Sequence, residues 1–127
     1  MTWHLVTGEY PPGCGGVGDY TALLARALGR AGEEVVVWVP ADTDGTGNAG
    51  ESVRRLPDRF GPRSREVLAR AWQQQRGVVV LQYVPNALGV KGANLAFCRW
   101  LRGMRHRGID VRVMFHEPYF YFSMERP

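Results

Sequence analysis

The sequence predicts an α/β fold of the Rossmann-like type, with a mostly parallel sheet of about five strands and flanking helices. Two observations predict it. Short apolar runs alternate along all 127 residues with stretches of helical period. Two of these runs, at 35–39 and 78–81, are continuous and rich in valine, which is typical of strands buried on both faces. Strands that alternate with helices imply right-handed crossovers and one parallel sheet.

Length and composition are those of a single domain. A chain of 127 residues with 45% hydrophobic and 22% charged residues can build one core. No segment approaches the roughly 20 apolar residues of a membrane span, and no signal peptide is evident, so we expect a cytoplasmic protein. The net charge of +4 comes from scattered arginines rather than a basic run with interleaved aromatics, so no nucleic-acid partner is predicted. Cys14 and Cys98 form no metal-binding pattern.

The first predicted unit is a strand, a glycine-rich turn and a helix. Residues 3–7 are the strand, 8–17 the turn, and 18–31 the helix. Gly32 follows at the position of a left-handed cap. The apolar positions that we expect on the buried helix face recur at helical spacing and are Tyr20, Leu23, Leu24, Ala27, Leu28 and Ala31.

The middle of the chain contains two strands and a helix. Residues 34–40 predict a strand buried on both faces, 41–51 a loop, and 52–56 an edge-like strand. A helix is expected after Gly61-Pro62. Its predicted apolar face contains Val67, Leu68, Ala71 and Trp72.

The last third repeats the strand–helix–strand order. Residues 78–84 predict a strand that Pro85 ends, and 86–92 a loop. A basic amphipathic helix over 92–107 follows, which Gly108 stops, and residues 111–115 are the last strand. The helix has apolar positions at Leu95, Phe97, Cys98, Leu101 and Met104. We expect them to pack on the sheet; the alternative is contact with an anionic membrane.

Ligands of open parallel sheets bind beyond the carboxyl ends of the strands. This rule selects the turn after the first strand, residues 83–89 and residues 116–119. In the turn, Gly13, Gly15 and Gly18 allow a ligand close to the backbone and lead into a helix N-terminus, which favours anions such as phosphate. The turn is therefore a predicted phosphate-facing site.

His116 is the candidate catalytic residue at the third place. It follows an apolar strand directly and precedes Glu117 and Pro118. A neutral imidazole exchanges hydrogen bonds with a sugar hydroxyl, and Glu117 can orient it. His4 and His106 lack such a context and are interpreted as structural or solvated.

The glycines also match the GxGxxG pattern of dinucleotide-binding folds, in which the strand runs almost directly into the first glycine. Here residues 8–12, with two prolines, intervene. A dinucleotide-binding oxidoreductase domain therefore stays as an alternative hypothesis. In the simplest alternative, the glycines only form a tight turn.

Three stretches together resemble a known family. They are TGEYPPGCGGVGDYTALLARALGRAGEEVVVW, LQYVPNALG and VRVMFHEPYF. Their order and content resemble the N-terminal domain of family 4 glycosyltransferases of the GT-B fold. The resemblance implies that Gly15 and Gly16 face the cleft between two domains and that His116 lies near the donor sugar. It also implies an enzyme that moves a sugar from a nucleotide sugar to an acceptor, without a bound metal or tightly bound cofactor.

From the resemblance and the strand-end rule, the predicted catalytic residues are His116 and Glu117. The predicted substrate- or donor-binding residues are Gly13, Gly15, Gly16, Gly18, Tyr83, Pro85 and Asn86. The family's second domain, which binds most of the nucleotide, has no counterpart in these 127 residues. We therefore expect residues 1–127 to form only the acceptor-side domain, to be inactive alone, and to need a downstream polypeptide. Peripheral contact with the inner face of a membrane is a further expectation. A non-catalytic assembly module that docks through residues 117–127 is the third alternative.

Overall fold

The computed structural model describes residues 1–8, 16–41, 52–83 and 91–115. Within these ranges it contains five strands and three helices. The strands are β1 (Thr2–Val6), β2 (Glu34–Pro40), β3 (Ser52–Leu56), β4 (Gly77–Tyr83) and β5 (Asp110–Phe115). The helices are α1 (Gly16–Arg30), α2 (Pro62–Gln74) and α3 (Lys91–His106).

The five strands form one sheet in the order β3-β2-β1-β4-β5. Every pairing among them is parallel. The first strand is therefore central, with Thr2 opposite Glu34 on one side and opposite Gly77 on the other. This arrangement confirms the predicted Rossmann-like α/β fold.

The helices cover the two faces of the sheet unequally. Helix α1 contributes Ala25 to the cluster that holds Leu5 and Val37 on one face. Helices α2 and α3 contribute Trp72 and Phe97 to the cluster on the other face. The valines and the tryptophan of β2 alternate between the two clusters and are all buried, so the prediction of a strand covered on both faces is confirmed.

Two glycines end helices as the sequence predicts. Gly32 after α1 has φ of +86°, and Gly108 after α3 has φ of +95°. Glycine adopts this left-handed conformation without the steric cost of a Cβ. The residues after them, Glu33 and Ile109, donate backbone hydrogen bonds to Leu28 and Met104, which closes the last helical turns.

The predicted helix faces are partly wrong. Tyr20, Leu23 and Ala27 of α1 are exposed, as are Val67 of α2 and Leu95 of α3. In α1 the buried positions are instead Thr21 and Ala25. A helix resting on a flat sheet buries only a narrow stripe, and small side chains at its centre allow close approach. The stripe predicted from apolar spacing is therefore displaced by about one residue from the buried stripe of the structure.

Polar side chains form hydrogen bonds at the end of the sheet where the strands begin, which we call the amino-terminal edge. Glu34 accepts hydrogen bonds from the Thr2 hydroxyl at 3.0 Å and from the Gln75 amide at 2.8 Å. The Nδ1 atom of His4 accepts from the Trp38 indole at 3.1 Å, so its Nε2–H donates to the Gln75 carbonyl at 2.8 Å. These bonds join β1, β2 and the end of α2.

Candidate functional site

The carboxyl ends of β1, β4 and β5 lie side by side. We call this end of the sheet, beyond the last residues of its strands, the carboxyl edge. Val6 is opposite Leu81, and Tyr83 is opposite Phe115. From β1 the chain passes through α1 to β2 on one side, and it later returns through α2 to β4 on the other side. The crossover direction therefore reverses between β1 and β4. Such a reversal opens a crevice beyond the strand ends, where parallel α/β proteins bind ligands.

The structure brings together the strand ends that lead to the predicted site residues. Tyr83 is the last residue of β4, and Phe115, which precedes His116, is the last of β5. Gly16 and Gly18 lie in the first turn of α1. The remaining predicted residues lie outside the described ranges and are Gly13, Gly15, Pro85, Asn86, His116 and Glu117. For these six, the placement in the sequence analysis stays a prediction.

The N-terminus of α1 gives this edge a positive electrostatic potential. The first backbone N–H groups of a helix have no partner within the helix, and they carry the positive end of its dipole. Asp19 also lies in this first turn and is exposed. Its carboxylate interacts favourably with the dipole, so an anionic ligand at this helix end would share the same positive potential with Asp19.

Three buried polar side chains mark the α1 side of this edge. They are Thr7, Thr21 and Gln82, each with no exposed surface. Leu5 and Val80 face α1. Because side chains alternate along a strand, Thr7 and Gln82 point to that face too. Thr21 is on the inward face of α1. Hydroxyl and amide groups at a crevice can orient loops or ligands by hydrogen bonds.

Sequence reasoning missed these three residues. Its apolar periodicities count only hydrophobic positions, so buried polar groups do not register in them. A signal was nevertheless present, because Thr7 and Gln82 each come directly after an apolar strand run. Thr7 also continues the β1–β2 pairing, since its N–H donates to the Trp38 carbonyl at 3.0 Å.

Helix α2 begins at the same edge, but its N-terminus is closed by its own chain. The carboxylate of Asp58 accepts from the N–H groups of Arg63 at 2.9 Å and Ser64 at 2.8 Å, and Pro62 has no N–H. Desolvation raises the pKa of Asp58, but these bonds and that of the Ser64 hydroxyl outweigh it and hold the pKa below its ordinary value. This helix end is capped and is not a candidate anion site.

His4 and His106 have the structural and solvated roles that the sequence predicts. His4 is 1% exposed within the hydrogen bonds of the amino-terminal edge, and burial lowers its pKa. The imidazole is therefore neutral, with Nδ1 as acceptor and Nε2 as donor. His106 lies exposed in the last turn of α3.

Helix α3 rests on the sheet through part of its predicted apolar face. Phe97, Leu101 and Met104 are buried in the core. Cys98 is an exposed free thiol, and desolvation raises its pKa. Three of the five predicted apolar positions therefore pack on the sheet, whereas Leu95 is exposed, and contact of this helix with an anionic membrane stays a prediction. No helix in the described ranges is both long and apolar enough to cross a bilayer. The described residues also contain no cluster of three or more histidine, cysteine, aspartate or glutamate side chains suited to a metal ion.

No family model, no curated protein and no solved structure matches this chain.

Proposed function

We propose that this chain is the acceptor-side domain of a GT-B glycosyltransferase of family 4. In this proposal the carboxyl edge of β1, β4 and β5 forms one wall of a cleft. There a sugar passes from a nucleotide sugar to an acceptor. A second domain supplies most of the nucleotide site, so the isolated chain does not transfer sugar.

The observation that carries the proposal is the position of the crossover reversal. The glycine-rich turn follows β1, the Tyr-x-Pro stretch begins at the last residue of β4, and the His-Glu pair follows β5. These strands are neighbours at the centre and one side of the sheet. The glycine-rich turn, the Tyr-x-Pro stretch and the His-Glu pair therefore leave neighbouring strands at one edge, beside the crevice that the strand order creates.

The chemistry of this edge suits a sugar diphosphate. The first turn of α1, with Gly16 and Gly18, favours a phosphate group. Buried hydroxyl and amide side chains at Thr7 and Gln82 support the edge where the sugar hydroxyls would lie. His116 and Glu117 provide an imidazole and a carboxylate one and two residues after β5. In the proposal these two contact the donor sugar.

The alternative of a dinucleotide-binding oxidoreductase domain has one observation in its favour. The strand order β3-β2-β1-β4-β5 is also that of dinucleotide-binding folds. The connection after β1 argues against it. Nine residues, 7–15, separate the end of β1 from the start of α1, whereas the dinucleotide motif needs the strand to enter the glycine turn almost at once.

Amide NMR shifts test the proposal. A panel of nucleotide sugars, and separately a nicotinamide dinucleotide, is added to the ¹⁵N-labelled chain. We expect nucleotide sugars to shift the amide signals of Thr7, Gly16, Gly18 and Gln82, because these residues lie at or next to the crevice. The signals of Thr2, Glu34 and Gly77 at the opposite edge are the internal control and should not move.

Three outcomes would contradict the proposal. They are the absence of shifts with every nucleotide sugar, shifts confined to the amino-terminal edge, and tight binding of the nicotinamide dinucleotide alone. The last result would favour the oxidoreductase alternative. A turnover assay with the same panel completes the test, and product formed by the isolated chain would refute the need for a second domain.

A further inference from the structure

A groove lies between α3 and β5, on the face of the sheet opposite α1. Its volume is about 350 Å³. Its walls include Leu101 of α3 and Val111 and Val113 of β5, with Cys98 at its side. Val113 is 44% exposed although it belongs to a strand of the sheet. We call this site the α3–β5 groove. It is an apolar surface next to the edge strand of the described sheet.

Two arginines give the groove a polar border. Arg102 and Arg105 both line it from α3. Within the described ranges neither arginine is in an ion pair or a hydrogen bond. An arginine beside an apolar wall favours an aromatic ring, on which the guanidinium stacks, or a carboxylate. The groove thus suits an aromatic segment with an acidic residue.

The handedness of the fold indicates which segment passes this face. The crossings from β3 to β4 and from β4 to β5 run in one direction, and their helices α2 and α3 lie on the same face. The crossing from β1 to β2 runs the other way, with α1 on the opposite face. Right-handed crossovers require this arrangement. A chain that continues outward from β5 therefore passes over the face of α3, where the groove is.

We propose that residues 119–127, which we call the tail, fold back into the α3–β5 groove. The tail carries the aromatic and apolar side chains of Tyr119, Phe120, Tyr121, Phe122 and Met124, and one carboxylate at Glu125. The rings of the tail can pack on the apolar walls of the groove, and its rings and its carboxylate can contact Arg102 and Arg105.

The length of the connection allows this docking. Val113 is two residues before the end of β5, a distance of about 7 Å along the strand. Residues 116–118, which include Pro118, are available for the reversal of the chain. His116 and Glu117 are then next to a docked segment rather than at the start of a free one. The proposal does not depend on which ligand binds at the carboxyl edge.

Cys98 is a built-in probe of the groove. In a Cys14→Ser chain it is the sole thiol, and its alkylation rate by a maleimide reports whether the groove is covered. We expect the double substitution Phe120→Ser and Phe122→Ser to raise the rate about tenfold, which corresponds to ~1.4 kcal/mol of docking free energy. Leu23→Ser, which removes an exposed apolar side chain from α1, is the matched control and should leave the rate unchanged. Equal rates in all three chains would overturn the proposal.

Disulfide trapping gives a second test, in which only one tail residue is substituted at a time. In the Cys14→Ser background, Phe122→Cys and Met124→Cys are oxidised separately. A docked tail brings one of these positions within the ~4.4–6.8 Å between Cα atoms that a disulfide requires, so a disulfide with Cys98 within one chain is expected. Leu23→Cys on the opposite face should form none. Exclusively interchain disulfides would show that a second copy fills the groove, and the absence of any disulfide would equally refute the proposal. Neither readout uses a nucleotide sugar, so its failure is distinct from failure of the proposed function.

Discussion

The two edges of the sheet are built from different chemistry. At the amino-terminal edge, side-chain hydrogen bonds join residues that are far apart in the sequence. Glu34 accepts from Thr2 and Gln75, and His4 joins Trp38 to Gln75. At the carboxyl edge, buried polar residues lie just after β1 (Thr7) and one residue before the end of β4 (Gln82), and the connections beyond them contain glycine and proline. Side-chain bonds between distant parts of the chain join the first edge, and the second edge carries the connections that contain the predicted site residues.

The difference indicates how stability and function are divided in this chain. Binding residues of α/β proteins lie mostly on loops that a rigid scaffold positions. The amino-terminal edge provides such a scaffold, because its bonds join β1, β2 and α2 at positions far apart in the sequence. We therefore expect substitutions at that edge to change the free energy of unfolding. Substitutions at the carboxyl edge should change ligand binding, with smaller effects on stability.

The largest effect is expected from Gly77→Ala at the amino-terminal edge. A Cβ atom at this position would lie 1.8 Å from the Thr2 carbonyl oxygen, so β1 and β4 would have to separate. We expect the free energy of unfolding to fall by about 3 kcal/mol or more, measured by urea denaturation.

Gly103→Ala on α3 is the matched control for this prediction. No atom lies within 4 Å of the added Cβ there, and alanine favours the helix by up to ~1 kcal/mol. The control should therefore be neutral or stabilising. If Gly77→Ala were equally neutral, the close approach of the two strands would not be a constraint.

A smaller effect is expected from His4→Phe. The substitution leaves the Trp38 indole N–H and the Gln75 carbonyl without their partner, which should lower the free energy of unfolding at pH 8 by about 2 kcal/mol. It should also remove a pH dependence. Burial lowers the pKa of His4, whereas an unfolded histidine takes up its proton near a pKa of about 6.5.

The sign of that pH dependence follows from the proton count. Below pH ~6.5 the unfolded chain binds a proton that folded His4 does not, so stability is complete above this pH and declines as the pH falls toward the lower folded pKa. Denaturation curves between pH 8 and pH 5 measure the decline. His106→Gln, at an exposed site, should keep it. A decline of the same size in the His4→Phe chain would assign it to other groups.

The smallest effect on stability, with the opposite sign, is expected from Gly18→Ala at the carboxyl edge. Alanine in the first turn of α1 should raise the free energy of unfolding by up to ~1 kcal/mol. The same change should weaken the NMR response to nucleotide sugars. Gly29→Ala in the same helix, with open space around the new Cβ, should stabilise similarly and leave that response intact. Equal responses in the two variants would remove Gly18 from the proposed site.

Much of the fold could be predicted because strands buried on both faces leave a strong signal. The limits of β2 and β3 match the prediction, and α2 begins at Pro62, one residue before its predicted start. The helix faces were harder, since Tyr20 and Leu23 have apolar character but lie beside the buried stripe rather than in it. Periodicity finds a helix. Side-chain size at the contact decides which of two adjacent stripes on the helix surface packs against the sheet.

The candidate site was predictable only at the level of strand ends. Parallel topology requires the ends of β1, β4 and β5 to share an edge, and the sequence order of apolar runs was enough to infer it. The buried hydroxyls of Thr7 and Thr21 and the amide of Gln82 were not inferred. Whether a polar residue is buried depends on what packs over it, and a pattern that counts only apolar positions does not record this.

The central position of β1 has a consequence for how the chain folds. Thr2 pairs with Glu34 but also with Gly77, 75 residues further along the chain. Pairings of such long sequence separation form slowly, because loop-closure entropy is lost before the contact is gained. During synthesis, β1 leaves the ribosome before β4 and keeps one unpaired edge until β4 follows. Until then, Leu5 and Val6 depend on partial cover, and this interval is the period of greatest exposure to aggregation.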